Sequence, residues 1–414
     1  MTAIDPPGRV RDLALRLAGQ ATLPAYIYDL AALDAHAAAI RAALPPAVQF
    51  CYAVKANPDE AILRTLARHA DGFEVSSGGE VTHTAGAVPA RPLAFGGPGK
   101  TSAELAAALR ARVARFHVES PHGLRLLDAA ARSAGTVADA LLRVNLPAQP
   151  PATAAPATAA PAGTAPAGGP ALVMGGTPSP FGMDPALLEA CALTLPDTPA
   201  VRVRGLHAHL ASGLGADELL ASSARLLDFG RAWCARHWVD RPEFNLGGGM
   251  AVDYERPATG FDWIGYGRGL AALARDGETL RVGPGRAVTA YCGWYVTTAL
   301  DVKRSQGETF VIVSGGTHHL RTPAARGHSQ PFAVIPAART DRAPAPAAGP
   351  GPVTVTGQLC TPRDVLARRA WVPGVRAGDL IVFGLAGAYA WNISHHSFLM
   401  HPPPAFRYIE GEPR

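Results

Sequence analysis

At 414 residues, with 48% hydrophobic and 17% charged residues, the chain is too long for one ordinary core and too apolar for a disordered one; two folded domains are expected. The net charge of +5 comes from 38 basic and 33 acidic residues with no Lys/Arg run, which argues against a nucleic-acid footprint and mildly for an anionic ligand. Five scattered cysteines without a CxxC pair, no apolar leader and no run of transmembrane length point to reduced thiols in a cytoplasmic protein.

From about Ala25 to Val282 the pattern is strand, turn and helix, repeated. Phe50-Cys51-Tyr52-Ala53-Val54 is apolar and β-favouring and ends at Lys55. Asn57 then reads as a helix N-cap, with Pro58 at the first helical position and Asp59 and Glu60 at the positive end of the dipole. A lysine at such a strand end has two readings: a surface charge on a buried stem, or a desolvated amine that forms a Schiff base with a carbonyl cofactor. Further strands are expected at 72–77, 92–95, 115–118, 141–146, 203–210, 244–246 and 280–282. Thr101 to Glu104 forms a capping box, and Ser120-Pro121 opens another helix. Alternation of this kind predicts parallel strands with crossover helices, and close to eight units favours a closed α/β barrel. Residues 147–170 are almost wholly Ala, Pro, Thr and Gly, which predicts a disordered or polyproline-like insertion. Residues 337–352 read as a shorter relative of it. From Arg286 onward the pattern becomes mainly β. The expected domains are therefore 26–282 as the barrel, and 1–25 with 283–414 as a β domain.

Several clusters can carry chemistry. Gly247-Gly248-Gly249 follows a strand and exposes backbone N–H groups to an anion such as a phosphate, or serves as a flexible turn. His207 and His209 share one face at another strand end, followed by Ser212 and Gly213. They read as a zinc pair lacking a nearby third ligand, as a ring stacked on a planar ligand with Ser212 on a phosphate, or as buried histidines. Cys360 lies in a polar turn beside Thr361, Arg363 and Asp364, an unusual place for a structural thiol. Tyr389 is the one hydroxyl-bearing ring after the small-residue run Gly384 to Ala388. His318, His319, Arg321, Arg326 and His328, with His395 and His396, concentrate cationic donors in two short stretches. Too few carboxylates or thiols accompany them for a metal site; a polycarboxylate pocket fits better than a solvated basic loop.

In order and spacing, Tyr52 to Asn57, His207 to Gly213, Gly247 to Gly249, Gly283-Pro284-Gly285-Arg286, Cys360 with Asp364, and Gly387-Ala388-Tyr389 resemble the fold-type III pyridoxal phosphate (PLP) decarboxylases, the ornithine/diaminopimelate decarboxylase group. The resemblance covers nearly the whole chain. It implies a TIM-like (β/α)8 barrel, a C-terminal β domain and a head-to-tail homodimer with shared active sites. It further implies that Lys55 holds PLP covalently and that His209 stacks on its ring. Ser212, Gly247, Gly248, Gly249, Gly285, Arg286 and Tyr389 would serve the cofactor, chiefly its phosphate. Cys360 of a second subunit would protonate the carbon that loses CO2. No metal is implied.

The chain departs from the family in three places. Most relatives have Glu where this chain has Gly283; that Glu pairs with the PLP ring nitrogen, so a weaker electron sink is expected here. Pro180 stands where many relatives have a lysine. Thr361 replaces the acidic residue that holds a distal ammonium, while His318, His319, Arg321, Arg326, His328, His395 and His396 suit an anionic distal group. The runs Met174-Gly175-Gly176 to Phe181-Gly182, Gly316 to Arg321, and Ile393 to His396 with Phe398-Leu399 and His401-Pro402 resemble the siderophore-biosynthesis branch, which acts on amino acids already condensed with citrate, such as citryl-2,3-diaminopropionate. The alternatives are a diaminopimelate/ornithine-type or carrier-linked decarboxylase, a racemase, or a catalytically weakened PLP-binding protein.

Overall fold

The computed structural model describes residues 4–147, 172–337 and 345–411. In chain order the first strands are Ala25–Asp29 (β1), Val48–Ala53 (β2), Gly72–Val75 (β3), Leu93–Phe95 (β4), Arg115–Val118 (β5), Ala138–Arg143 (β6), Leu172–Val173 (β7), Val201–His207 (β8), Ala211–Ser212 (β9), Glu243–Asn245 (β10) and Thr279–Val282 (β11). Eight of them, β2-β3-β4-β5-β6-β8-β10-β11, close into a barrel in which every neighbour is parallel. The expected barrel is therefore present.

Local sequence explains the turns that set the strands in register. The side chains of Ser77, Ser120, Asp184 and Asp262 each cap the helix that follows them, and Thr101 and Glu104 complete the capping box. One cap differs from expectation. Asp59, not Asn57, accepts from the backbone of Ala61 and Ile62 and starts the helix Glu60–Leu66. Asn57 instead donates to Gly387 O at 3.0 Å, tying the strand end to the second domain.

That domain contains Gly293–Ser305 (β12), Glu308–Val313 (β13), Phe332–Ile335 (β14), Ala347–Ala348 (β15), Gly351–Thr356 (β16), Val365–Val372 (β17), Val375–Arg376 (β18), Leu380–Phe383 (β19) and Ala405–Ile409 (β20). The sheet runs β14-β19-β12-β13-β16-β17, and β1 joins it between β12 and β20. Residues 26–29, read from sequence as barrel, thus belong to this sheet. Apolar pattern identifies a buried strand but not the sheet it enters. The helix Gly8–Gly19 lays Val10, Ala14 and Leu17 on the same sheet, against Ile27, Trp294 and Val382. Apart from Pro147, the insertion 147–170 lies outside the described residues. Of the second low-complexity stretch, 338–344 lies outside them. Ala347–Ala348 is ordered by antiparallel pairing with Val375–Arg376, a backbone interaction that needs no large side chain.

Charge plugs the N-terminal end of the barrel. Glu243 accepts Arg115 Nε at 2.7 Å, with Arg204 and Arg281 at 3.4 and 3.5 Å. Burial raises the Glu243 pKa, but Arg115 hydrogen bonding and the surrounding arginines outweigh this and hold the carboxyl below its ordinary value. Its stabilising contribution is therefore present above the unfolded pKa and is lost as pH falls through the folded one. Glu243→Gln leaves three arginines around a neutral group and is expected to cost about 3 kcal/mol at neutral pH. Melting curves across pH check this: the gap between wild type and variant narrows below about pH 4.

Candidate active site

The other end of the barrel gathers a different set of side chains. Lys55 sits in the 3-10 turn Val54–Ala56 directly after β2 and is exposed in the single chain. Its backbone is fixed from the β domain: Asn392 donates to Lys55 O at 2.7 Å, and Tyr389 N to Ala56 O at 2.7 Å. Its charge is felt by His209, His117 and Glu80.

His209 follows β8. Its Nε2 lies 3.3 Å from Ser212 Oγ. Burial, reinforced by Lys55 and Arg143, pushes its pKa down to about 3, so the ring is neutral. The glycine turn packs against it: a Cβ on Gly247 would meet His209 Nδ1 at 3.1 Å. Gly247 and Gly249 have φ of +71° and +106°, and a Cβ on Gly248 would lie 2.3 Å from Gly283 O. Only glycines build this cradle, in which backbone N–H groups can meet an anion. Across it, Arg286 Cζ lies 4.5 Å from the centre of the Tyr389 ring and Nη1 donates to Tyr254 Oη at 2.8 Å. Burial pushes the Tyr389 phenol up to about 12 despite the Arg286 charge. Gly285 lies against Ala56 and Tyr389. The structure thus brings His209, Ser212, Gly247, Gly248, Gly249, Gly285, Arg286 and Tyr389 together around the Lys55 strand end.

The basic stretches divide. Arg321 and His395 meet at 3.1 Å, with the imidazole Nδ1 as acceptor, and Ser394 Oγ accepts from Arg321 N. His396 stacks on Trp391 with ring centres 3.6 Å apart. Thr322 donates its hydroxyl to Tyr389 O, which sets this patch beside the cradle. His319 is different: it is buried, held at Nδ1 by Tyr295 and at Nε2 by Pro402 O, each at 3.0 Å. Its ring nitrogens serve the fold, not a ligand. His318 is wholly buried beside it, 4.1 Å between ring centres, and burial pushes its pKa down to about 4. His328 packs on Tyr254, and the Arg326 side chain lies outside what is described.

Cys360 is the one exposed cysteine; Cys51, Cys191, Cys234 and Cys292 are buried. Its loop is held by Asp364, whose buried carboxylate accepts Thr317 N at 2.6 Å and Leu359 N at 2.8 Å. One residue ties the thiol loop to the Gly315–His319 turn.

Sequence reasoning singled out none of Glu74, His117, Arg143 and Asn245. Glu74 is paired in register with Ala53 and Ala94 at the end of β3. Asn245 is fully buried; its Nδ2 donates to Glu74 Oε1 at 2.6 Å and lies 3.4 Å from His117 Nε2, while its Oδ1 accepts from Gly247 N at 2.9 Å. His117 and His207 stack at 4.2 Å, and burial holds both well below the ordinary imidazole pKa. Arg143 forms a buried ion pair with Glu119 at 3.0 Å beneath the Phe181 ring. Their only advance signal is a polar side chain near the C-terminal end of an apolar strand.

A parallel barrel with a lysine, a neutral imidazole and a glycine anion cradle at one mouth defines a class: an enzyme that binds a phosphorylated aldehyde cofactor. The sequence signature described as pyridoxal-dependent decarboxylase, pyridoxal binding domain, matches residues 30–290. The chain belongs to the PLP-dependent decarboxylases. It is 35% identical over 402 residues to 2-[(L-alanin-3-ylcarbamoyl)methyl]-2-hydroxybutanedioate decarboxylase of Staphylococcus aureus, covering 93% of each chain. To L-glutamyl-[BtrI acyl-carrier protein] decarboxylase of Niallia circulans it is 30% identical over 394 residues, 92% of this chain and 87% of the other. Diaminopimelate decarboxylase of Helicobacter pylori complexed with L-lysine shares the fold, with a TM-score of 0.80 at 24% identity over 95% of this chain and 93% of that one. Among the described residues no helix is long and apolar enough to cross a membrane.

Proposed function

We propose that the chain removes the α-carboxylate from an amino acid joined to citrate through an amide, as in citryl-2,3-diaminopropionate, in cytoplasmic siderophore assembly. The observation that carries this reading is 35% identity, across 93% of both chains, to an enzyme whose named substrate is that kind of hydroxybutanedioate. The Arg321–His395–His396 patch supports it, because a guanidinium fork beside the cradle suits the carboxylates of a citrate unit. Thr361, next to Cys360, offers no acid for a distal ammonium.

The residues present fit PLP. Lys55 would hold its aldehyde carbon, neutral His209 would face its ring, and the Gly247–Gly249 cradle with Ser212, Gly285, Arg286 and Tyr389 would take its phosphate. When bound, the cofactor supplies an electron sink for the pair of electrons left by departing CO2. The protein has three tasks of its own. Arg321 and the histidines orient the substrate from its far end, so that the scissile carboxylate is placed by remote binding. A neutral His209 adds no positive charge to the mouth. The Cys360 thiol donates a proton to the carbon that has lost CO2.

Cys360 would come from a second copy in a homodimer. Its exposure supports this, as does the exposed apolar run Phe398, Leu399 and Met400 next to the basic patch. Four buried unpaired thiols and an exposed one suit a reducing compartment.

Two experiments test the reading. The kcat/KM for citryl-2,3-diaminopropionate is expected to exceed that for free diaminopimelate or a carrier-linked glutamate, and Arg321→Gln to raise KM for the citrate adduct roughly 10- to 100-fold. Faster turnover of free diaminopimelate would contradict the assignment. Mixing inactive Lys55→Ala and Cys360→Ser proteins, with subunit exchange, is expected to restore about a quarter of wild-type activity, because half the dimers then hold one intact site. No recovery after verified exchange would place both residues in one subunit's site.

A further inference from the structure

Glu74 has no part in the roles assigned above, yet it stands at the mouth. Its register partner Ala53 is two residues before Lys55. Asn245 holds Oε1 at 2.6 Å, and among the described residues Oε2 receives no hydrogen bond from the protein. The decisive contact is with Gly283. A Cβ built on Gly283 would lie 2.6 Å from Glu74 Oε2 and 2.8 Å from both Cδ and Oε1. The Glu74 carboxylate therefore occupies the space a side chain at position 283 would fill. A side chain at 283 would displace the Glu74 carboxylate from this position.

The same backbone belongs to the cofactor cradle. Gly283 N donates to Gly247 O at 2.8 Å, and Gly283 O abuts Gly248. The carboxylate is thus attached to the structure that receives the phosphate, on the strand beside Lys55. Its charge reaches the Tyr389 phenol, which Glu74 helps to raise. Besides its aldehyde and phosphate, PLP carries a ring hydroxyl and a pyridine nitrogen, and of these the nitrogen, when protonated, is the one that would pair with a carboxylate. A carboxylate beside that nitrogen favours its protonated form and so strengthens the electron sink.

We propose that Glu74, reaching from β3 into the space left by Gly283, is the acid that pairs with the protonated ring nitrogen of PLP. This deepens the decarboxylase reading and rests on PLP binding. The weaker electron sink expected from Gly283 is then replaced by one whose acid comes from a different strand.

The test uses the holoenzyme carrying ring-15N-labelled PLP. The nitrogen is expected at the pyridinium chemical shift in wild type at neutral pH. An unprotonated nitrogen there overturns the proposal without any variant. Glu74→Gln keeps the shape and the Asn245 contact but removes the charge. It is expected to shift the nitrogen toward the unprotonated position and to lower kcat roughly 100-fold, with the fold and covalent attachment to Lys55 retained. An unchanged 15N signal in Glu74→Gln overturns the proposal. Gly283→Ala is expected to shift the signal in the same direction by displacing the carboxylate. The exchanged pair Glu74→Ala with Gly283→Glu is expected to restore it. Failure of wild type to bind PLP at all would instead count against the decarboxylase reading.

Discussion

Closure of eight parallel strands is the constraint on which the rest of this protein depends. Once every barrel strand runs the same way, whatever lies at a strand's C-terminal end faces one mouth. Lys55, Glu74, Arg143, His207, Asn245 and Gly283 come from different strands or the residues just after them, and topology alone collects them. The opposite end carries the Arg115–Glu243–Arg281 network, which adds charge where no chemistry is needed. The opposite faces of the strands carry an apolar core containing Phe50, Tyr52, Phe73, Phe95, Phe116 and Phe244, with Phe244 packed on Gly230 of the helix Ala216–Arg236.

The β domain finishes the site rather than merely flanking it. Asn57, Ala56 and Lys55 are each held from the segment between Gly387 and Asn392, and Tyr389 is brought over the Arg286 guanidinium by the same segment. The Arg321–His395 pair is carried on that surface. The proposed cofactor end and substrate end are therefore fixed by one set of hydrogen bonds between the domains. Glu74 and Gly283 form the corresponding joint within the barrel. They are neighbours only because β3, β2 and β11 are consecutive around the closed sheet.

Much of this was legible beforehand. Apolar strands ending in Lys55, His207 or the triple glycine, and capping residues such as Thr101 and Ser120, are local signals that need no tertiary context. What failed was non-local. β1 has the same apolar run as a barrel strand, but its partners are β12 and β20. His319 and His395 look alike in sequence, yet one is clamped between Tyr295 and Pro402 and the other faces Arg321. Gly283 read as a missing acid because the group filling its place is far away in the chain. A lost side chain at one position and an unremarked glutamate at another become one feature only when the strands are placed side by side.

A crystal structure of the PLP complex tests the proposed exchange of an acid between two strand ends. A Glu74 carboxylate oxygen is expected within about 3 Å of the ring nitrogen, with Gly283 beneath it and Asn245 still on the other oxygen. A ring nitrogen that faces another group, with Glu74 turned away from it, would rule this pairing out.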